Sequence, residues 1–148
     1  MGRFRFRLAA VLKVSRIKKD QAEVKFAAAT QALALERRKL ADLHESLAEG
    51  TRNYEKLTEK KITVDMLVNY SSFFARLKSE IGAQEAAVEK ALAYKNETLE
   101  ILKVAMNKLK SIERLKERRF AEYLEEQLHE EQKQLDEIGL QLYVRAEK

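Results

Sequence analysis

A heptad repeat of apolar residues runs through the first half of the chain, and it restricts the fold more than any other feature. A 3.5-residue apolar repeat places one narrow stripe along a helix, and such a stripe is buried against another helix in a left-handed supercoil. The stripe therefore predicts a coiled-coil rod. Its two interleaved columns are Leu12, Lys19, Phe26, Leu33, Leu40, Leu47 and Tyr54, and Leu8, Ser15, Ala22, Ala29, Glu36, Leu43, Gly50 and Leu57.

The composition favours uninterrupted helices. Proline and tryptophan are absent from the 148 residues, and only four glycines occur. The remainder is rich in Ala, Leu, Glu, Lys, Gln and Arg, which lose least on entering a helix. With 36% charged and 7% aromatic residues, the chain has too little apolar content for a thick core but enough for a seam between two helices.

One interruption separates two helical regions. Thr63 is a plausible N-cap, and Asp65 favours the positive end of the helix that follows. We predict a helix at about residues 5–58, a loop at about 59–63 and a helix at about 64–143. A loop this short makes the helices antiparallel neighbours. The predicted fold is therefore all-α, an antiparallel coiled-coil hairpin with the longer helix second, in a single elongated domain over residues 1–148.

The second helix repeats the heptad and gives the hairpin a register. Its columns are Leu67, Phe74, Ile81, Val88, Lys95, Leu102 and Leu109, and Tyr70, Leu77, Gln84, Ala91, Thr98, Ala105 and Ile112. Placing Leu57 opposite Leu67 also sets Gly50 against Phe74, so that a large residue faces a small one, as close packing requires. The polar residues on the stripes, Lys19, Glu36, Gln84 and Lys95 among them, are interpreted as lying along a thin seam with their polar ends in water.

In this register the second helix extends beyond the start of the first helix. Arg5 lies opposite Arg119, and beyond that point the stripe has no partner within the chain. An apolar helix face left in water usually marks an interaction surface, although fraying and self-association are alternatives. The continuing stripe consists of Phe120, Leu124, Leu128, Leu135, Ile138 and Leu142.

Charge is distributed unevenly along the chain. Seven basic residues and no acidic one precede Asp20, the segment at about 103–119 is also basic, and the following segment is acidic. A basic surface is typical of nucleic-acid binding, but the aromatic residues that stack on bases are sparse, and antiparallel helices exclude a basic-region zipper. We favour a protein partner that surrounds the basic end with an acidic or polar collar. The alternative is that the basic residues form a solvated charged face without a partner.

The sequence shows no pattern typical of catalysis. It has no phosphate-binding glycine loop, no His-Glu-x-x-His and no nucleophile elbow. It has no cysteine, and His44 and His129 lie far apart in the predicted register. We therefore predict no enzyme activity, no metal and no cofactor. No signal peptide or membrane-spanning run is apparent, so we expect a soluble cytoplasmic protein without direct membrane insertion.

Two motifs resemble one protein family. The start, with Arg3, Phe4, Arg5, Phe6, Arg7 and Leu8 followed by Val11-Leu12, is similar to the FliJ family of flagellar type III export proteins. Asn69-Tyr70 with Phe73 and Leu77, at the start of the second helix, forms the second motif. The chain length and the two-helix layout agree, so the resemblance covers essentially the whole chain.

The resemblance implies a non-enzymatic component of the bacterial flagellar export apparatus. It implies a stalk that stands in the hexameric export ATPase ring, promotes ring assembly, couples the ring to the cytoplasmic domain of the membrane export gate and handles export chaperones. Such a protein lies in the cytoplasm, peripherally at the inner face of the cell membrane. A general coiled-coil adaptor, or the equivalent stalk of a virulence secretion system, remains the alternative.

Candidate binding residues follow from joining the resemblance to the stripe. The export-gate surface is predicted at Tyr70, Phe73 and Leu77, with Phe73 exposed beside the seam and therefore a hot-spot candidate. Glu80 and Gln84 depart from the family's less acidic gate-binding face, and Tyr54 is a possible contributor from the first helix. The surface for the ATPase ring is predicted at the terminal end, which comprises Arg3, Phe4, Arg5, Phe6, Arg7, Leu8, Arg118, Arg119, Phe120, Leu124 and Leu128.

Overall fold

The computed structural model describes residues 3–147, which contain two α-helices and no strand. Helix α1 spans Ala9–Thr58 and helix α2 spans Val64–Glu147. The two helices pack against each other as a helical hairpin, and the second is the longer, so the predicted all-α hairpin is confirmed.

The contacts divide the described chain into two compact units. The hairpin unit is Asp20–Lys103, and the terminal unit combines residues 3–19 with residues 104–147. The single domain predicted over residues 1–148 stays a prediction, and its residues 1, 2 and 148 lie outside the described range.

In the hairpin unit the two stripes form the seam. Every member of the predicted columns within this unit is buried or half-buried except Leu67, which is 39% exposed. Leu33, at 2% exposure, is the most deeply buried large side chain. A Cβ on Gly50 would lie 3.5 Å from Phe74, and the Tyr54 and Tyr70 rings are 5.5 Å apart. Both contacts agree with the predicted register.

A polar layer crosses the seam at Glu36 and Gln84, where the sequence led us to expect polar ends in water. The Gln84 side-chain amide instead donates a hydrogen bond to the Glu36 carbonyl oxygen at 2.9 Å and another to the Glu36 carboxylate. Thr98, which is 4% exposed, donates its hydroxyl hydrogen to the Lys95 carbonyl at 2.7 Å. These side chains are half-buried or buried, so the hydrogen bonds remove the cost of placing unpaired polar groups in the seam.

The turn between the helices contains the N-cap that the sequence predicts. The hydroxyl of Thr63 accepts a hydrogen bond from the Met66 backbone N–H at 3.3 Å, and the Thr63 carbonyl accepts one from Leu67 at 3.1 Å. The threonine side chain therefore satisfies one of the first N–H groups of α2, which is the function of an N-cap, and the carbonyl accepts the first regular hydrogen bond of the helix.

In the terminal unit, α1 begins at Ala9 and not near residue 5 as predicted, because the preceding residues pack on α2 in a non-helical conformation. Phe6 is 8% exposed and forms a buried cluster with Leu12 and Leu109. The Phe4 ring lies 5.1 Å from that of Phe120. Burying the Phe6 ring and part of the Phe4 ring outweighs the one helical turn that is lost, since a fully buried ring contributes about 2 kcal/mol when removed from water. Helix α2 ends at Glu147, a few residues beyond the predicted end near residue 143.

Candidate partner-binding surfaces

Four aromatic rings gather near the start of α2 in the hairpin unit, and we call this group the aromatic cluster. It consists of Tyr54, Tyr70, Phe73 and Phe74, all of them half-buried. Neighbouring ring centroids are 5.5 to 6.1 Å apart, the range in which edge-to-face and tilted aromatic pairs are favourable. Tyr54 of α1 is therefore part of the surface that the sequence placed mainly on α2.

Phe73 is less accessible than predicted. From the sequence we predict an exposed ring beside the seam, whereas in the structure the ring is half-buried. The reason is Gly50: a Cβ there would lie only 2.7 Å from Cε1 of Phe73, so the absence of a side chain lets the ring rest against α1. Only the outward part of the Phe73 ring remains available to a partner.

Leu77 is 5% exposed, as its place on a heptad column predicts, and it presents almost no surface to a partner. Glu80 is exposed, and the Gln84 amide is engaged by Glu36. Of the three predicted gate residues, only Tyr70 and Phe73 retain accessible surface.

A group of exposed apolar residues in the first turns of α2 is not among the sites predicted from the sequence. Val64 is 74% exposed, Val68 57% and Met66 41%. The signal was present in the sequence, since four of the five residues 64–68 are apolar and only Leu67 falls on a heptad column. The apolar surface before the aromatic cluster is thus larger than the stripe alone predicts.

In the terminal unit the apolar residues of the N-terminal motif pack within the unit. Phe6 is buried, and Phe4 and Leu8 pack against its cluster together with Ile112 and Leu115 of α2. Phe4 also lies 5.4 Å from Tyr123, measured between ring centroids. These predicted ring-binding residues hold the N-terminal segment in place, and the surface they leave for a partner is small.

The arginines of the same motif are the accessible part. Arg3, Arg5 and Arg7 are exposed on the segment that packs on α2, and so are Arg118 and Arg119. Arg16 and Glu113 form an ion pair at 3.9 Å between partly exposed side chains. The terminal unit therefore presents a basic surface near the place where Phe4 meets Phe120.

Beyond Tyr123, helix α2 continues with its side chains in water, and we call residues 124–147 the overhang. Nearly every residue in the overhang is exposed. This agrees with the predicted continuation of the stripe, except that Phe120 has an intrachain partner in Phe4. The exposures of the large apolar residues are Leu124 47%, Leu128 67%, Leu135 62%, Ile138 53%, Leu140 64%, Leu142 60%, Tyr143 61% and Val144 47%.

The chain matches the model of a known protein family. The model of the family described as flagellar FliJ protein covers residues 4–148, essentially the whole chain. The chain belongs to the FliJ family. The resemblance inferred from the two motifs is thereby confirmed. None of the curated proteins and none of the solved structures compared with the chain matches it.

Membership of the FliJ family makes the protein a component of the flagellar type III export machinery, and the family is a non-catalytic export component. Within the described residues 3–147, no group of three or more His, Cys, Asp or Glu side chains is placed to hold a metal ion. Neither of the two described helices is long and apolar enough to cross a membrane.

Proposed function

We propose that the protein is the stalk of the flagellar export ATPase ring, that it promotes assembly of the ring and that it couples the ring to the membrane export gate. Family membership over residues 4–148 carries this proposal. Handling of export chaperones, and a position at the inner face of the cell membrane through the export apparatus, belong to the same proposal. The remaining question is which surface meets which partner.

The terminal unit is the part that we assign to the ring. Its N-terminal segment is fixed to α2 by Phe4 and Phe6, so the exposed Arg3, Arg5 and Arg7 are held on an ordered backbone. Arginine fixed in this way loses little conformational entropy on pairing with carboxylates of a partner. The overhang adds a single helix with an apolar stripe, which supports insertion into an opening too narrow for a globular domain.

The aromatic cluster is the part that we assign to the export gate. Half-buried aromatic rings on a rigid helix are typical of interface hot spots, because they add contact area without requiring new order. Tyr70 and Phe73 offer their outer edges, and Val64 and Val68 extend the apolar surface. Leu77 is buried in the seam and offers a partner almost no surface.

A charge-reversal experiment tests the assignment to the ring. The variant Arg3→Glu, Arg5→Glu, Arg7→Glu should weaken co-purification with the export ATPase and reduce the stimulation of ATP hydrolysis by about tenfold or more, since like charges replace favourable pairs. The matched control reverses three exposed basic residues of the hairpin unit, Arg37, Arg38 and Lys78. Circular dichroism should show equal helicity for both variants.

Two results would contradict this assignment. One is unchanged ring assembly and ATP hydrolysis with the arginine variant. The other is an equal loss with the control variant, because that would show a general effect of charge. Failure of the unaltered protein to co-purify with the ATPase or to raise its activity would overturn the stalk function itself.

A second experiment tests the gate surface. Phe73→Ala should weaken binding to the cytoplasmic domain of the export gate by about tenfold, the loss of a moderate hot spot. Tyr94→Ala is the control, because Tyr94 is an aromatic residue of the same helix and unit that is 52% exposed outside the cluster. Equal affinity of the Phe73 variant and the unaltered chain in a pull-down titration would eliminate the aromatic cluster as the gate site.

A further inference from the structure

The overhang carries a heptad stripe of its own, which differs in phase from the seam. One column is Leu128, Leu135 and Leu142, and the other is Leu124, Glu131, Ile138 and Arg145. All of these side chains are exposed. A stripe of this period is buried efficiently only by another helix, and no other part of the described terminal unit packs along it.

From residue 127 onward the positions beside this stripe are uncharged, which is unusual, and Glu125 is the one acidic flanking residue of the overhang. In most coiled coils the flanking positions hold Glu and Lys, and their charges decide which helices pair. From residue 127 onward the flanking residues here are Gln127, Gln132, Gln134, Gly139, Gln141 and Ala146. Apart from Glu125 and Glu131, the acidic residues of the overhang lie on the outer face, at Glu126, Glu130, Asp136, Glu137 and Glu147. These outer-face carboxylates therefore do not oppose pairing with an identical helix.

The two polar residues of the stripe select an orientation for such a pair. In a parallel pair, Glu131 would face Glu131 and Arg145 would face Arg145, which places like charges in the seam. In an antiparallel pair with Leu135 opposite Ile138 of the second copy, each Glu131 lies within one helical turn of Arg145 of the second copy. Both polar residues then gain partners of opposite charge.

This pairing also fits the terminal unit sterically. The antiparallel register joins residues 128–145 of each copy and stops before Tyr123, where Phe4 packs on α2. The N-terminal segment can therefore stay in place. We propose that a second copy of this chain covers the overhang, through an antiparallel coiled coil of residues 128–145 with Leu135 and Ile138 at its centre.

The proposal goes beyond the stalk function and implies competition with it. A seam this short buries on the order of 1,000 Å² in total, the lower end for a specific interface, so the dimer is weak and reversible. It hides the overhang when the protein is free and concentrated, and it must open before that helix meets another partner.

Sedimentation of the full-length chain over a wide concentration range tests the dimer. We expect monomer at about 1 µM and substantial dimer at a few hundred micromolar, the range of a weak interface. Ile138→Asp should weaken dimerisation by about tenfold or more, because it places a carboxylate at the centre of the seam. Leu140→Asp is the matched control, since Leu140 is exposed on the outer face of the same helix and its substitution should leave the dimer unchanged.

A charge exchange tests the orientation. Glu131→Arg and Arg145→Glu should each weaken the dimer by about tenfold, because each creates two repulsive contacts across the pair. Combining them should restore the original affinity. Monomer at every concentration, equal effects of Ile138→Asp and Leu140→Asp, or a combined variant as weak as the single ones would each overturn the proposal. These outcomes are independent of ATPase and gate binding.

Discussion

Ile81 and Ile138 both lie on heptad stripes of helix α2, yet Ile81 is 9% exposed and Ile138 is 53% exposed. Both residues lie within the same continuous helix, and no proline interrupts it. The difference is that α1 runs beside Ile81 in the hairpin unit, whereas no other part of the described residues 3–147 packs along the overhang. The heptad repeat specifies an apolar helix face that another helix can bury. Whether that face is buried depends on how far the partner helix extends along it.

The polar residues on the stripes of the two regions also differ in their partners and exposure. In the hairpin unit, Glu36 and Gln84 satisfy each other across the seam. In the overhang, Glu131 and Arg145 occupy equivalent stripe positions but remain exposed. Polar residues that pair across a seam fix the register of its two helices. Polar residues on an exposed stripe, such as Glu131 and Arg145, indicate the register in which a partner helix would pair with that stripe.

The largest expected effect comes from truncating one leucine in each region. Leu33→Ala should lower the free energy of unfolding by about 3 kcal/mol, because Leu33 is 2% exposed and its loss leaves a cavity. Leu135→Ala, at 62% exposure, should cost less than about 0.5 kcal/mol in the monomer. Urea unfolding followed by circular dichroism at low micromolar concentration measures both. Comparable losses would show that the overhang is already packed in the monomer.

Glycine-to-alanine substitutions should change the free energy of unfolding by less, and in opposite directions in the two regions. Gly139→Ala in the overhang should stabilise the helix by up to about 1 kcal/mol, since nothing lies within 4 Å of the new Cβ. Gly50→Ala should instead destabilise the protein by about 1 kcal/mol net, because crowding of Phe73 exceeds the gain in helix propensity.

Phe73→Ala provides the background that tests this cause. With the ring removed, Gly50→Ala should change sign and become stabilising by roughly 0.5–1 kcal/mol. Thermal unfolding of the four variants completes the double-mutant cycle. If Gly50→Ala has the same effect with and without the Phe73 ring, the close contact is not what keeps glycine at this position.

The helices and their register could be predicted from the sequence because a coiled-coil seam is nearly one-dimensional. The spacing of Leu33 and its column sets the buried face, and the position of Thr63 sets the turn, so few other arrangements remain. Both depend on local pattern and chain length, which a sequence displays directly.

Accessibility at the candidate sites could not be predicted in the same way. The burial of Phe73 depends on its close approach to Gly50, a residue of the other helix whose importance is the absence of a side chain. The late start of α1 depends on Phe6 meeting Leu109 across the terminal unit. Both features result from three-dimensional packing between residues far apart in the sequence. At the start of α1 this packing also overrides local helix propensity. Heptad spacing carries no information about either feature.

The smallest expected effect concerns charge, and it tests whether ion pairs contribute to the difference between buried and exposed stripes. Arg16→Ala removes the Arg16–Glu113 pair, whose atoms are 3.9 Å apart and whose side chains are 57% and 41% exposed. Exposed pairs of this kind are screened by water and contribute about 0.5 kcal/mol or less. Denaturation at low and high salt should therefore give nearly the same midpoint for the variant and the unaltered chain, with any difference shrinking as salt rises. A loss approaching that of Leu33→Ala would mean that charge, together with apolar burial, holds α1 against α2 in the terminal unit.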